Sequence, residues 1–188
     1  MFYFMPKSRK VIYHNYEKRK EGAKNIQHPI PKYQVTFTPV RYTPDNLKAF
    51  TKKIKQNLTI DLLPHQYRKQ AETNKMFGYC VVVVQTLYYL FETDKLSVYK
   101  GRSKDFTKSG DWHYWLQDKK KIIDLTKSQY TSQGLKPPYD NPKQLKQMTR
   151  PINCKQAPLY WDTGWQGRMR VSTISLLERV VDCKRKDY

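Results

Sequence analysis

Three side chains of this sequence could act as a nucleophile, a base and an orienting group: Cys80, His113 and Asp124. His113 lies in an aromatic run, and a β-branched run follows it after Asp118 and Lys119, a pattern typical of a β-hairpin. If the turn is centred on those two residues, His113 faces Asp124 across the hairpin. Directly opposed side chains have Cβ atoms about 4.5–5.5 Å apart, close enough for a carboxylate to bond an imidazole. An imidazole held in this way, with a thiol in the same domain, predicts a cysteine-type catalytic triad.

The position of Cys80 within its element decides whether the thiol could take this role. Residues 78–91 are almost wholly apolar, and the valines at 81–84 favour a strand by propensity. The length of the run without a turn signal favours a buried helix instead. The partial positive charge and free N–H groups at a helix start favour a thiolate and can receive an oxyanion. The alternative is that Cys80 is a small buried hydrophobe, which is the structural role expected for Cys154 and Cys183.

Composition limits the class of protein. The 188 residues suffice for one domain with an appendage, and 14% aromatic residues indicate an aromatic-rich core. The formal net charge of +20 favours polyanionic partners. Three cysteines at distant positions imply neither a disulfide framework nor a zinc site, and we expect no metal and no cofactor. No run approaches a membrane span and the start lacks a secretory signal, so we expect an intracellular protein (host cytoplasm) or one packaged in a virion.

Much of the positive charge lies near the start of the chain. We interpret residues 1–43 as a basic arm and residues 44–188 as the folded domain. The arm could bind nucleic acid or an acidic protein surface, or it could be a solvated extension. The candidate nucleic-acid-binding residues are Lys7, Arg9, Lys10, Lys18, Arg19, Lys20, Lys52 and Lys53.

Other segments have local signals of their own. Thr43 before Pro44 predicts the start of a helix over about 44–58. Residues 34–38 alternate and could form an edge strand. Residues 131–170 are rich in proline and predict a loop. A last helix is predicted to run to about Cys183, with Ser172 as its cap.

Several of these motifs together resemble a known group. The resemblance is carried by Gly78-Tyr79-Cys80, Leu87-Tyr88-Tyr89-Leu90, His113-Tyr114-Trp115, and Asp124-Leu125-Thr126 followed by Gln129-Tyr130. In this respect the chain resembles the YunG-type group of phage and bacterial proteins over about residues 62–182. The order Cys, His, Asp is similar to that of the papain-like and transglutaminase-like superfamily. The resemblance implies an α+β fold in which a helix bearing the cysteine packs on a small antiparallel sheet.

The same resemblance implies a thiol hydrolase or acyl transferase that acts on amide or thioester bonds of a peptide or protein. Cys80 would be the nucleophile, His113 the base and then the acid, and Asp124 the orienting group. The Cys80 backbone N–H, with Gln70 or Asn74, would bind the oxyanion, although neither has the spacing of the papain glutamine. One alternative is a non-catalytic viral structural or nucleic-acid-associated basic protein that reuses this fold. Another is a host-directed inhibitor that binds an acidic partner.

Overall fold

The computed structural model describes residues 9–14, 32–91, 93–106, 111–145, 171–182 and 184–187. These residues form five α-helices and seven β-strands, with a short 3₁₀ turn at Ile60–Leu62 between the first two helices. The helices are α1 (Pro44–Gln56), α2 (His65–Thr73), α3 (Cys80–Leu90), α4 (Ser128–Thr131) and α5 (Val171–Val180). The strands are β1 (Arg9–His14), β2 (Lys32–Phe37), β3 (Leu96–Ser103), β4 (Asp111–Asp118), β5 (Lys121–Ile123), β6 (Lys143–Gln144) and β7 (Lys184–Asp187).

The strands form two antiparallel sheets. The larger sheet has the order β5-β4-β3-β6, and the smaller one has the order β1-β2-β7. The chain is therefore α+β with a small four-stranded antiparallel sheet, as expected. The predicted strand near residues 34–38 exists, but it is the central strand of its sheet, because β1 and β7 pair with its two sides. The boundary between arm and domain at residues 43 and 44 stays a prediction.

Helix α3 is the central element of the core, and every one of its eleven residues is buried. It packs against β4 and α5. The helix interpretation of residues 78–91 is confirmed, although α3 contains four consecutive valines. Valine costs only a few tenths of a kcal/mol in a helix, whereas burying one such side chain contributes about 1.5–3 kcal/mol. Burial therefore outweighs the local strand propensity.

The other two predicted helices also form, but their ends differ. Thr43 is the N-cap of α1, and its hydroxyl oxygen accepts a hydrogen bond from the Asn46 backbone N–H at 3.2 Å. The predicted cap of the last helix is wrong, because α5 begins at Val171 and Ser172 lies within its first turn. That helix ends at Val180, short of Cys183, which lies outside the described residues.

The β4–β5 hairpin turns one residue later than predicted. Asp118 pairs with Lys121 and Leu116 with Ile123, so the two loop residues are Lys119 and Lys120. Lys119 has a φ of 55°, the left-handed conformation that tight two-residue hairpin loops require. The register that would have placed His113 directly opposite Asp124 is therefore wrong.

Within the described ranges, no helix has both the length and the apolar character needed to cross a membrane.

Candidate active site

Cys80 is the first residue of α3, and the backbone that leads into this helix depends on a glycine. Gly78 has a φ of 82°, a left-handed conformation that side-chain-bearing residues rarely adopt. No side chain of the described residues caps the first turn of α3, so its first N–H groups point out of the helix without an intrahelical partner. The Cys80 Sγ lies 3.9 Å from the carbonyl oxygen of Trp112, a long contact for an S–H donor.

The predicted pair of imidazole and carboxylate is formed. The Nε2 of His113 lies 2.6 Å from Oδ2 of Asp124, and the two side chains are 0% and 1% exposed. Asp124 is the first residue after β5, so it contacts His113 from beyond the paired part of the hairpin. The thiol of Cys80 lies close enough to the His113 ring to affect its pKa, and both residues line one cavity. The structure thus brings Cys80, His113 and Asp124 together.

The carboxylate of Asp124 accepts hydrogen bonds on both oxygens. Its Oδ1 accepts from the Thr126 backbone N–H at 2.8 Å and from the Thr126 hydroxyl at 3.0 Å. Its Oδ2 accepts from the Tyr139 hydroxyl at 2.6 Å as well as from His113. Burial alone would raise the pKa of Asp124, but the bonds from His113, Tyr139 and Thr126 lower it below its ordinary value. Asp124 is therefore an anion at neutral pH.

The charge on Asp124 changes the titration of the imidazole. Burial alone would lower the pKa of His113, but the hydrogen bond and charge of Asp124, with the nearby Cys80, raise it to about 9. The His113 ring is accordingly protonated at neutral pH, with Nε2–H directed at Asp124. A buried imidazolium paired with a carboxylate is the state in which a catalytic histidine can stabilise a neighbouring thiolate.

A second side chain, Gln129, holds the other nitrogen of the ring. Its Nε2 lies 2.8 Å from the Nδ1 of His113, and its side chain is buried. A neutral ring with its proton on Nε2 accepts a hydrogen bond from the Gln129 amide, whereas a protonated ring donates to the amide oxygen. Gln129 therefore fixes the plane of the imidazole in either protonation state.

The two residues predicted as oxyanion donors lie to the side of this arrangement. The buried Asn74 donates from Nδ2 to the backbone carbonyl of Gln129 at 2.8 Å, so it supports the segment that carries Gln129. Gln70 lies near the end of α2 and is half-buried. Neither residue is among those that line the cavity at Cys80. Their role at an oxyanion stays a prediction.

A cavity of about 230 Å³ opens beside Cys80 and His113. Gln129 and Asp111 also line it. Most of its remaining lining is aromatic and comes from Tyr67, Phe77, Phe106, Trp112, Tyr114 and Tyr130. A substrate could reach the sulfur through this space.

The segment that carries Tyr139 approaches the sheet closely at Gly101. The Tyr139 ring packs edge-on against Trp115 with ring centroids 4.9 Å apart. Gly101 pairs with His113 in the β3–β4 ladder, and a Cβ at residue 101 would clash with the carbonyl oxygen of Pro138. Only glycine lets the chain at residues 138 and 139 lie this close.

Replacing Gly101 with alanine is therefore expected to lower the free energy of unfolding by about 2 kcal/mol, as overpacking does elsewhere. The segment at Pro138 must move away, which also pulls the Tyr139 hydroxyl from Asp124. Urea denaturation measures the loss. The matched control is Ser97→Ala on the same face of the same strand, which we expect to change stability by less than about 0.5 kcal/mol. Equal stability of the two variants would contradict the close approach.

Four of the predicted nucleic-acid-binding residues lie in described elements that do not form this site. Lys52 and Lys53 are exposed on α1. Arg9 and Lys10 lie in β1. Four of the predicted nucleic-acid-binding residues lie outside the described residues: Lys7, Lys18, Arg19 and Lys20. Cys154 is outside them as well. In the part of the chain that the structure describes, no group of three His, Cys, Asp or Glu side chains could hold a metal ion.

Sequence analysis did not identify Gln129 or Tyr139 as site residues. Gln129 belongs to a motif that carried the resemblance, but its contact with His113 depends on how the chain turns after Asp124. The signal for Tyr139 was indirect, because Gly101 within a strand indicates that another backbone passes close by.

Comparisons with known proteins add no relative to this description. The chain matches no protein family model. Comparisons with curated proteins and with solved structures also found no match. The resemblance to the YunG-type group and to papain-like proteins stays a prediction.

Proposed function

We propose that the protein is a thiol hydrolase or acyl transferase that acts on amide or thioester bonds through Cys80, His113 and Asp124. The observation that carries this proposal is the buried pair of His113 and Asp124, 2.6 Å apart, beside a thiol at the start of a helix and lining the same cavity. A nucleophile, a base and a group that orients the base are the parts that covalent acyl transfer requires. The cavity beside Cys80 supplies the space for a substrate.

In this mechanism the thiol proton is held on Nδ1 of His113, whose bond to Gln129 gives way when the proton is transferred, and the Cys80 sulfur attacks the carbonyl carbon. Collapse of the tetrahedral intermediate breaks the bond to the leaving group, which takes the proton from the imidazolium. Water or an acceptor nucleophile then gives a proton to His113 and attacks the thioester, and the acyl group leaves the sulfur. Asp124 stabilises the imidazolium throughout and keeps Nε2 as the nitrogen that faces it.

The start of α3 suits the oxyanion of both steps. The uncapped N–H groups of its first turn and the positive end of the helix dipole lie at the residue that bears the nucleophile. Removing one such donor costs about 3–4 kcal/mol of transition-state stabilisation in enzymes of this type. The Cys80 backbone N–H is the donor we assign.

The test is the rate at which iodoacetamide labels each cysteine at mildly acidic pH. We expect Cys80 to react at least about tenfold faster than Cys154 and Cys183, because His113 activates its sulfur in the proposed mechanism. The three cysteines serve as internal references when labelled peptides are quantified by mass spectrometry. His113→Gln should lower the labelling rate of Cys80 to that of the other cysteines. The matched control His65→Gln changes an exposed histidine of α2 and should leave the rate unchanged. Equal and slow labelling of all three cysteines would refute the proposal.

A further inference from the structure

Asp111 places at the cavity a carboxylate oxygen for which no described residue is a hydrogen-bond partner. It is the first residue of β4 and lines the cavity that holds Cys80 and His113. Its Oδ2 is buried, and among the described residues no donor hydrogen-bonds it. A buried carboxylate oxygen without a partner costs free energy, so such a group in a folded protein calls for an explanation. A ligand that supplies positive charge would remove this cost.

The cations of the neighbouring strand β3 belong to the other face of the sheet. Asp111 pairs with Ser103 in the β3–β4 ladder, whereas Lys100 and Arg102 occupy the alternate positions of β3. Alternate residues of a strand project to opposite faces of the sheet. Lys100 and Arg102 accordingly lie on the face of Trp112, and the Lys100 ammonium sits 4.5 Å from the centre of its ring.

The rest of the lining is also suited to an organic cation. Four aromatic residues from other elements line the cavity: Tyr67, Phe77, Phe106 and Tyr130. The faces of aromatic rings attract ammonium and guanidinium groups, and their hydrocarbon edges pack against an alkyl chain. A cavity of about 230 Å³ is smaller than the roughly 300–1,000 Å³ typical of drug-sized ligands, so it suits a single side chain.

We propose that this cavity binds a cation on an alkyl chain, such as a lysine-like side chain of the acyl donor, with Asp111 as its anionic partner. The inference rests on the proposed function, because it assigns a substrate class to the site that contains Cys80. The net charge of +20 repels cations at long range, so this repulsion opposes the binding of a cation in the cavity. Salt screens that long-range repulsion more than the partly buried contact, so the preference for a cation increases with ionic strength.

Three alkylating reagents with the same reactive group test the substrate class without a known substrate. They are iodoacetamides whose nitrogen carries an aminopropyl, a butyl or a carboxypropyl tail. In each case the Cys80 sulfur forms a bond to the methylene carbon and iodide leaves, so the reaction is the same, and the aminopropyl and butyl tails match in length but differ in charge. We expect the aminopropyl reagent to label Cys80 about tenfold faster than the butyl reagent, and the carboxypropyl reagent to be the slowest.

The ratio of the aminopropyl to the butyl rate is the quantity to compare among variants. Asp111→Asn should bring this ratio to about one, and Asp94→Asn, at an exposed loop position, should leave it unchanged. A second measurement needs no variant: butylammonium, but not butanol, should protect wild-type Cys80 from iodoacetamide. A ratio near one in the wild type, or a raised ratio that survives Asp111→Asn, would overturn the inference.

The proposed function can fail separately in the same experiment. If His113→Gln leaves the labelling rate of Cys80 unchanged with all three reagents, the catalytic assignment is wrong. The ratio between reagents then still reports whether the cavity prefers a cation.

Discussion

Asp124→Asn is expected to slow the acylation of Cys80 by p-nitrophenyl acetate about 10³-fold. The carboxylate accepts four hydrogen bonds, from the His113 ring, the Tyr139 hydroxyl and two groups of Thr126. Asparagine has one acceptor oxygen, and its amide N–H₂ group would face donors on the other side. The His113 ring then loses both the charge that keeps it protonated and the bond that holds its orientation.

The release of p-nitrophenol during the first turnover measures this effect. Cys80→Ala provides the background rate, because the ester also reacts with surface lysines. Asp94→Asn removes a carboxylate from an exposed loop position and should acylate at the wild-type rate. If folded Asp124→Asn protein retained acylation within a few-fold of the wild type, Asp124 would not be the orienting group.

A second large effect is expected on stability as the pH rises. The pKa of His113 is raised from its ordinary value of 6.5 to about 9 in the folded chain. The protonated ring is therefore favoured by folding, and its contribution is complete below pH 6.5 and lost as the pH rises through 9. For a shift of this size the loss amounts to about 3 kcal/mol. Asp124 acts in the opposite direction, because its pKa is lowered: its contribution is present above pH 3.8 and lost in acid.

Denaturation in urea at pH 6 and at pH 9.5 measures the difference, and variants isolate the part that is due to His113. We expect His113→Gln to lose much less stability than the wild type between these two values. His65→Gln, on the exposed side of α2, should follow the wild type. In Cys80→Ala, the part of the pH-dependent stability that comes from the contact of Asp124 with His113 should remain. Parallel losses in wild type and His113→Gln would show that the ring is not held in its charged form.

The helix that bears Cys80 could be predicted from the sequence, because its length exceeded that of ordinary strands. Local propensity favoured the opposite interpretation at its valines. The helix is chosen because all of α3 is enclosed by other elements, and propensity differences are small beside the burial of eleven residues.

The contact between His113 and Asp124 was predicted correctly from a register that was wrong. Moving the turn to Lys119 and Lys120 shifts the residue opposite His113 by two positions, from 124 to 126. A shift of two keeps a side chain on the same face of a sheet, whereas a shift of one would have reversed it. If the ladder continued past Ile123, Asp124 would be a diagonal neighbour of His113 on the same face, which agrees with the observed contact.

The supporting residues could not be predicted, because they depend on packing between distant segments. Tyr139 reaches Asp124 only because Gly101 admits the chain at Pro138, and the sequence does not show which segment lies against a strand glycine.

The prediction that Ser172 caps the last helix was wrong for a simpler reason. The helix begins one residue earlier, and a hydroxyl inside the first turn has the same local sequence signal as a cap.

The complete enclosure of α3 decides where this protein could be re-engineered. Residues on that helix are buried against packed neighbours, so substitutions there would lower the free energy of unfolding before they changed which substrate binds. The cavity wall is different, because Tyr67, Phe106 and Trp112 lie on other segments and are partly open to solvent. A library of variants at those three positions could therefore change which ligands bind while Cys80 stays in place.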